Sequence, residues 1–244
     1  MKQKLLALAF LSCATSFSFA NDAAPHWSYG EVKEWGELAP AYAECKIGKT
    51  QSPIDIQTKS VQKASLTPIK TAYKSAAAEV VNNGHTIQVN VEPGSTLKIN
   101  KEVYDLLQFH FHRPSEEQID GKPMAMVVHF VHKNAEGKLA VIGVLLNEGK
   151  DSEAIKTLWE NAPKSEGPEV VVEGVKFNPS SLIPAALTHY HYEGSLTTPP
   201  CTEGVQFYIL KTTVDISKKQ VNEFPFKRNA RPVQPANGRV ITAN

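Results

Sequence analysis

The chain has 244 residues, 41% of them hydrophobic and 21% charged, with 26 lysines and arginines against 25 acids. That is an ordinary balance for a soluble globular protein, and the length suffices to bury a large core without many disulfides. No basic run or arginine-rich stripe stands out, so nucleic acid and anionic membrane surfaces are not expected partners.

The first twenty residues read as a leader. Lys2 and Lys4 precede the apolar run Leu5 to Leu11, and Ser18-Phe19-Ala20 ends in the small residues that signal peptidase requires. Cleavage after Ala20 is expected, leaving residues 21–244 as an exported, periplasmic or secreted protein. With Lys2 and Lys4 gone, 24 basic residues face 25 acidic ones. The apolar run is too short for a membrane span, so no membrane anchor is expected. A lipid-modified Cys13 is the alternative, and Phe10-Leu11-Ser12 is a poor match ahead of it. Cys13 leaves with the leader. Cys45 and Cys201 remain, and an even pair in an oxidising compartment suggests one disulfide, with two free thiols as the alternative.

In chain order, strand-like runs dominate: Glu79–Val81, Thr86–Val91, Thr96–Ile99, Leu106–His112, Met124–His132, Leu139–Leu146, Gly204–Leu210 and Val240–Ile241. Many alternate apolar and polar residues, the period-two sign of a sheet with two different faces. Turn pairs such as Asn83-Gly84, Asp120-Gly121 and Glu136-Gly137 separate them. Helical pattern is scarce. Ser152–Asn161 is the best segment, with Ser152 as N-cap and Pro163 as a stop, followed by the short Ser217–Glu223. With no internal repeat or low-complexity linker, the reading is one sheet-dominated α+β domain.

Four of the eight histidines fall in the stretch 108–134, QFHFHRPSEEQIDGKPMAMVVHFVHKN. Residues two apart on a strand share a face, so His110 and His112 project together, while Phe109 and Phe111 project to the buried side. A hairpin centred on Asp120-Gly121 would set His112 opposite His129, with Pro114 and Pro123 distorting the ladder. His132 has the opposite parity and reads as structural. Three neutral imidazoles converging without a charged partner are best explained by a cation. Three histidines without cysteine suit Zn²⁺, and three protein ligands leave the open position of a catalytic site; copper or nickel would also accept such ligands.

With these residues in view, the sequence resembles the α-class carbonic anhydrases, of the exported bacterial type. The resemblance runs over nearly the whole chain after the leader. It is carried by Trp27-Ser28-Tyr29-Gly30, Gln51-Ser52-Pro53-Ile54-Asp55-Ile56, Asn82-Asn83-Gly84-His85, Gln108-Phe109-His110-Phe111-His112, His129-Phe130-Val131-His132, Gly194-Ser195-Leu196-Thr197-Thr198-Pro199-Pro200 and Arg231-Pro232-Val233-Gln234-Pro235. It implies a large, mainly antiparallel sheet of about ten strands with short surface helices, and reversible hydration of CO₂ to bicarbonate and a proton by a zinc-bound hydroxide. It also implies that His110, His112 and His129 ligate zinc, that Cys45 and Cys201 are linked, and that Thr197, with Glu116 receiving its proton, orients the hydroxide. Gln108 would hold His110 by its other nitrogen. His85 would be the proton shuttle, an imidazole being well matched to proton transfer near neutrality, with Tyr29, Asn83 and Gln88 ordering water. Val131, Val141, Leu196 and Thr198 would line the CO₂ pocket. Exported members are often dimers, so a homodimer is compatible with the resemblance.

Three positions depart from the family's pattern. Val127 stands where many members carry a glutamate that steadies the third zinc histidine, and valine cannot accept a proton. A backbone carbonyl or water is then expected to take that role, or zinc is held less firmly. Glu117 replaces a common histidine and adds a negative charge that could disturb the Thr197–Glu116 bond. Phe207 replaces a common tryptophan and keeps an aromatic wall. Other readings are a non-catalytic relative, which usually lacks a zinc histidine; an ester hydrolase using the same hydroxide; and a metal store, which has no need of Thr197 with Glu116.

Overall fold

The computed structural model describes residues 25–244. The expected leader, its cleavage point and Cys13 therefore lie outside the described residues. In chain order the strands are β1 (Asp55–Ile56), β2 (Gln62–Lys63), β3 (Lys70–Ala72), β4 (Ala76–Asn82), β5 (Ile87–Asn90), β6 (Thr96–Ile99), β7 (Glu102–His112), β8 (Gln118–Ile119), β9 (Lys122–Pro123), β10 (Met126–Asn134), β11 (Leu139–Glu148), β12 (Val170–Phe177), β13 (His189–Ser195), β14 (Glu203–Leu210), β15 (Val214–Ile216) and β16 (Thr242–Ala243). The helices are short: α1 (Trp35–Leu38), α2 (Glu44–Ile47), α3 (Glu153–Asn161) and α4 (Lys218–Glu223). Ser152 caps α3 by accepting from the Ile155 amide, and Ser217 with Gln220 closes a capping box on α4.

Thirteen strands form one sheet whose main path runs β12-β4-β5-β7-β10-β11-β14-β13-β16-β2. Its pairings are antiparallel except β11 with β14 and β15, and β16 with β2. This is the sheet-dominated α+β architecture expected, with ten strands on the main path and β3, β6 and β15 beside it. The central strands are covered on both sides, which is why β11 reads LAVIGVLLNE, nearly continuous in apolar residues. One face holds Phe109, Phe111, Val128, Phe130, Ile142 and Val144 in the larger core; the other holds Val127, Val141, Leu145, Val205 and Phe207 in a smaller cluster. Phe109 and Phe130 are cross-strand partners, fully buried, with ring centroids 5.2 Å apart. Burying each such ring contributes about 2–3 kcal/mol.

Three local expectations are corrected. The C-terminal strand forms at Thr242–Ala243, two residues beyond Val240–Ile241, because Ile241 turns its side chain into the smaller cluster. Strands β12 and β13, absent from the sequence reading, complete one edge and the C-terminal part of the sheet. The register of β7 with β10 also differs: His129 pairs with His110, and His112 faces Val127. The reason lies in the connection. The tip hairpin β8–β9 pairs Gln118 with Pro123 and Ile119 with Lys122, as a turn at Asp120-Gly121 requires. Between it and the main ladder, Arg113–Glu117 puts five residues against the three of Met124–Met126. The offset of two residues preserves parity, so the three histidines and the phenylalanines between them keep their expected faces; a bulge beyond Val131 shifts the ladder by one residue and turns Leu106 into the core with Phe109 and Phe111. The extra length carries Glu116 and Glu117 inward.

Cys45 and Cys201 form a disulfide spanning 156 residues of sequence, with Cα atoms 5.0 Å apart. A closure of that length contributes about 4–5 kcal/mol in the chain-entropy treatment. It also ties the N-terminal helices to the turn following Thr197.

Candidate metal centre

His110 and His112 rise from the face of β7 opposite Phe109 and Phe111, and His129 rises beside them from β10. Their ring centroids lie 4.9–5.6 Å apart. One nitrogen from each ring lies within 4.8 Å of the other two, close enough for all three to bind one cation. Gly143 faces His129 across the ladder, and a Cβ there would come within 2.5 Å of Ile209 Cδ1. The missing side chain leaves that space to Ile209 and the imidazole.

The remaining ring nitrogens are each held by the protein. His110 Nδ1 donates to Gln108 Oε1 at 2.8 Å, His112 Nδ1 to the Asn229 carbonyl at 2.7 Å, and His129 Nε2 to Glu117 Oε2 at 3.0 Å. Each acceptor fixes a tautomer and leaves the opposite nitrogen with its lone pair. His110 Nε2, His112 Nε2 and His129 Nδ1 are the ones left. His112 Nε2 is buried and has no hydrogen-bond partner. Three lone pairs turned toward one point repel unless something positive lies between them. Burial, and then the neighbouring His129, depress His110 to about 3, so protonation is not the remedy there. His112 is likewise driven well below the ordinary range by burial and the two histidines beside it. At His129 burial also acts downward, but the charge and hydrogen bond of Glu117 outweigh it and raise the pKa.

Glu116, which could be taken for a solvated loop charge, is buried. Its Oε1 accepts from the Arg231 amide at 2.8 Å. Its Oε2 lies 3.4 Å from His112 Nε2 and 3.8 Å from His129 Nδ1. Burial raises its pKa to about 7, against the opposing pull of His129 and of the Thr197 hydroxyl. Thr197 is close enough to favour the charged carboxylate, yet Oε2 itself has no hydrogen-bond partner.

Thr197 sits in a braced turn. The Leu196 amide donates to the Thr202 carbonyl and the Cys201 amide to Thr198, while Ser52 and Ser195 exchange backbone–hydroxyl bonds at 2.9 and 3.1 Å. A Cβ on Gly194 would lie 2.0 Å from Ser52 Oγ, so that approach requires glycine. Thr198 joins His110, His112, Gln108, Gln88, Asn83, Tyr29, Trp27, Thr86 and His85 around a cleft of about 120 Å³. At its rim His85 stacks on Trp27, centroids 3.7 Å apart and planes 9° off parallel. Asn83 Oδ1 accepts from the amides of His85 and Thr86, which sets the turn. Gln88 donates sideways to Asn90, and Tyr29 is held neutral by burial and by Glu116. On the other side of the histidines, Val131 and Leu196 pack against the cluster that holds Val141, and Phe207 lies edge-on to His129, centroids 6.0 Å apart. The expected site residues thus divide into a polar wall and an apolar wall with the three imidazoles between.

Asn229 was invisible in the sequence. Besides receiving His112 through its carbonyl, it accepts from the Arg113 amide at 2.7 Å and donates to Phe111 and His85 carbonyls. No local pattern marks it; the nearest signal is the adjoining Arg231-Pro232 motif.

A model of the eukaryotic-type carbonic anhydrase family matches residues 30–244. The chain belongs to that family. A carbonic anhydrase of Pectobacterium carotovorum is 42% identical over 248 residues, covering 99% of each chain. One from a Nostoc species is 40% identical, over 97% of this chain and 92% of its own. The solved α-carbonic anhydrase of Thermovibrio ammonificans, in complex with the inhibitor sulfanilamide, superposes with a TM-score of 0.87 at 39% identity, over 90% of this chain and all of that one. The chain is accordingly an enzyme of the carbonic anhydrase class, and hydration of CO₂ is the activity that goes with the family.

Proposed function

We propose that the protein hydrates CO₂ reversibly to bicarbonate and a proton with a zinc ion held by His110 Nε2, His112 Nε2 and His129 Nδ1. The observation that carries this reading is the set of three free ring nitrogens whose opposite nitrogens are all engaged. When bound, zinc supplies a hydroxide nucleophile at neutral pH by acidifying the water in its open position. The chain's own residues do the rest. Glu116, anchored by the Arg231 amide, accepts a hydrogen bond from the Thr197 hydroxyl, which commits that proton and leaves the Thr197 oxygen only to accept, so that it would fix the direction of attack. Val131, Val141 and Leu196 offer CO₂ an apolar wall without competing hydrogen bonds, and Thr198 borders the polar side. His85 takes the product proton at the cleft rim and passes it to solvent, through water ordered by Tyr29, Asn83 and Gln88.

The disulfide, the leader read in the sequence and the family together support an exported enzyme, periplasmic or secreted. No helix among the described residues is long and apolar enough to cross a membrane. The test is the initial CO₂ hydration rate of purified, zinc-saturated protein, followed by stopped flow with a pH indicator. A rate far above buffer, with one zinc per chain, is expected. A rate no faster than buffer despite one bound zinc would overturn the catalytic reading and leave a metal-binding relative.

A further inference from the structure

Two departures from the family's pattern sit close together. Val127 offers no carboxylate on β10 where the resemblance leads one to expect it, and Glu117 brings one in from the connection after β7. We propose that they are one change: Glu117 is the positioning residue for His129, supplying from the loop the carboxylate that Val127 cannot supply from the strand. The inference rests on the three-histidine metal reading.

Val127 is fully buried in the apolar cluster with Leu145, two residues before His129 on the same face. Nothing on it can receive a proton. Glu117 is equally buried, which is unusual for a carboxylate unless its oxygens are paired or hydrogen-bonded. Its Oε2 accepts from His129 Nε2 at 3.0 Å, and its Oε1 is approached by the Tyr192 hydroxyl at 3.4 Å. The loop that delivers it is braced. The Ser115 amide donates to the Met124 carbonyl at 3.1 Å, Ser115 Oγ accepts from the Met124 amide, and the same hydroxyl donates to the Glu117 carbonyl at 2.7 Å. The two residues by which this arm exceeds its partner arm provide the length that turns Glu117 inward. An ionised carboxylate only accepts, so it holds His129 as the Nε2–H tautomer and leaves Nδ1 for the metal. Its charge also makes the imidazole a stronger donor to a cation. The expectation that a backbone carbonyl or water would take the place of the missing glutamate is thereby corrected, because His129 Nε2 meets Glu117 Oε2 instead.

The test compares the wild type, Glu117→Ala, Glu117→Gln and the double variant Glu117→Ala/Val127→Glu. Zinc release into excess chelator is followed by elemental analysis, and the His129 tautomer is read from imidazole ¹⁵N resonances. Removing the carboxylate should speed zinc release about 10–100-fold, with Glu117→Gln in between, since its amide oxygen still accepts but carries no charge. Returning a carboxylate to β10 should recover most of the loss, which a merely structural role for Glu117 would not allow. Unchanged release from folded Glu117→Ala, or no recovery in the double variant, would overturn the proposal. If Glu117→Ala does not fold, the wild type decides: an Nδ1–H tautomer at His129 would overturn it, an Nε2–H tautomer would support it. Should the wild type bind no zinc at all, the metal reading fails, while the metal-free tautomer still tests the Glu117 contact.

Discussion

His129 and His132 stand three residues apart on β10, both almost fully buried, yet they face opposite sides of the sheet and have opposite fates. His132 lies in the larger core, where its Nδ1 donates to the Ala140 carbonyl at 3.1 Å and its Nε2 accepts from the Tyr73 hydroxyl at 2.7 Å. Both nitrogens are spent, and burial holds the ring neutral by lowering its pKa to about 4. His129 spends Nε2 on Glu117 and turns Nδ1 toward His110 and His112. Burial therefore does not distinguish a ligand from a core histidine. The unspent nitrogen does.

The comparison is broken most directly by removing each ring. His129→Ala should lower bound zinc from one per chain to near none, and CO₂ hydration by about a hundredfold or more. His132→Gln should keep one zinc per chain, its cost falling on stability. Zinc analysis and stopped-flow rates on both variants measure this. A folded His132→Gln protein that has lost its zinc would abolish the distinction.

A smaller effect lies in the pH dependence of stability. The His132 pKa falls from about 6.5 in the unfolded chain to about 4 in the fold. Between these values the unfolded chain binds more protons than the native one, so His132 stabilises less as pH falls through that window. Its share of the loss between pH 7 and pH 5 is about 2 kcal/mol. Chemical denaturation at the two pH values should show a drop for the wild type that is smaller by about this amount in His132→Gln. Equal drops in the two proteins would mean that the neutral ring is not what the core demands.

The sequence made the faces legible and left the partners hidden. The spacing of His110 and His112 on a strand, with phenylalanines between, is a local property of the pleat and survives any register of even offset. The true offset of two residues depends on how Arg113–Glu117 folds inward, which is a tertiary matter. The roles of Glu117 and Asn229 were concealed for the same reason: each touches histidines distant in sequence, and neither lies in a periodic pattern. Strand β13 escaped because its segment, HYHYEGS, alternates between histidines and tyrosines rather than between apolar and polar residues. Its buried positions are His189, Tyr192, Gly194 and Ser195, only one of them a large side chain with substantial apolar surface, and Gly194 packs against Ser52.

His85 sharpens the comparison from the other side, because its ring is half-buried and held by stacking on Trp27. A ring placed in this way can exchange protons with water, which His132 cannot. His85→Ala should lower kcat about tenfold in dilute buffer, with little change in kcat/KM, and added imidazole should restore it. Burial, and then the nearby His26, lower the His85 pKa from its usual value of 6.5. The neutral form accepts the proton, so kcat should rise with pH through a midpoint below 6.5. The ring centroids of His26 and His85 are 6.0 Å apart, and His26 is exposed. His26→Ala removes a source of positive charge and should move that midpoint upward without touching the zinc site. A midpoint that stays in place in His26→Ala and disappears in His85→Ala would assign the depression to burial against Trp27 alone. A midpoint that persists in His85→Ala would show that the proton leaves by another route.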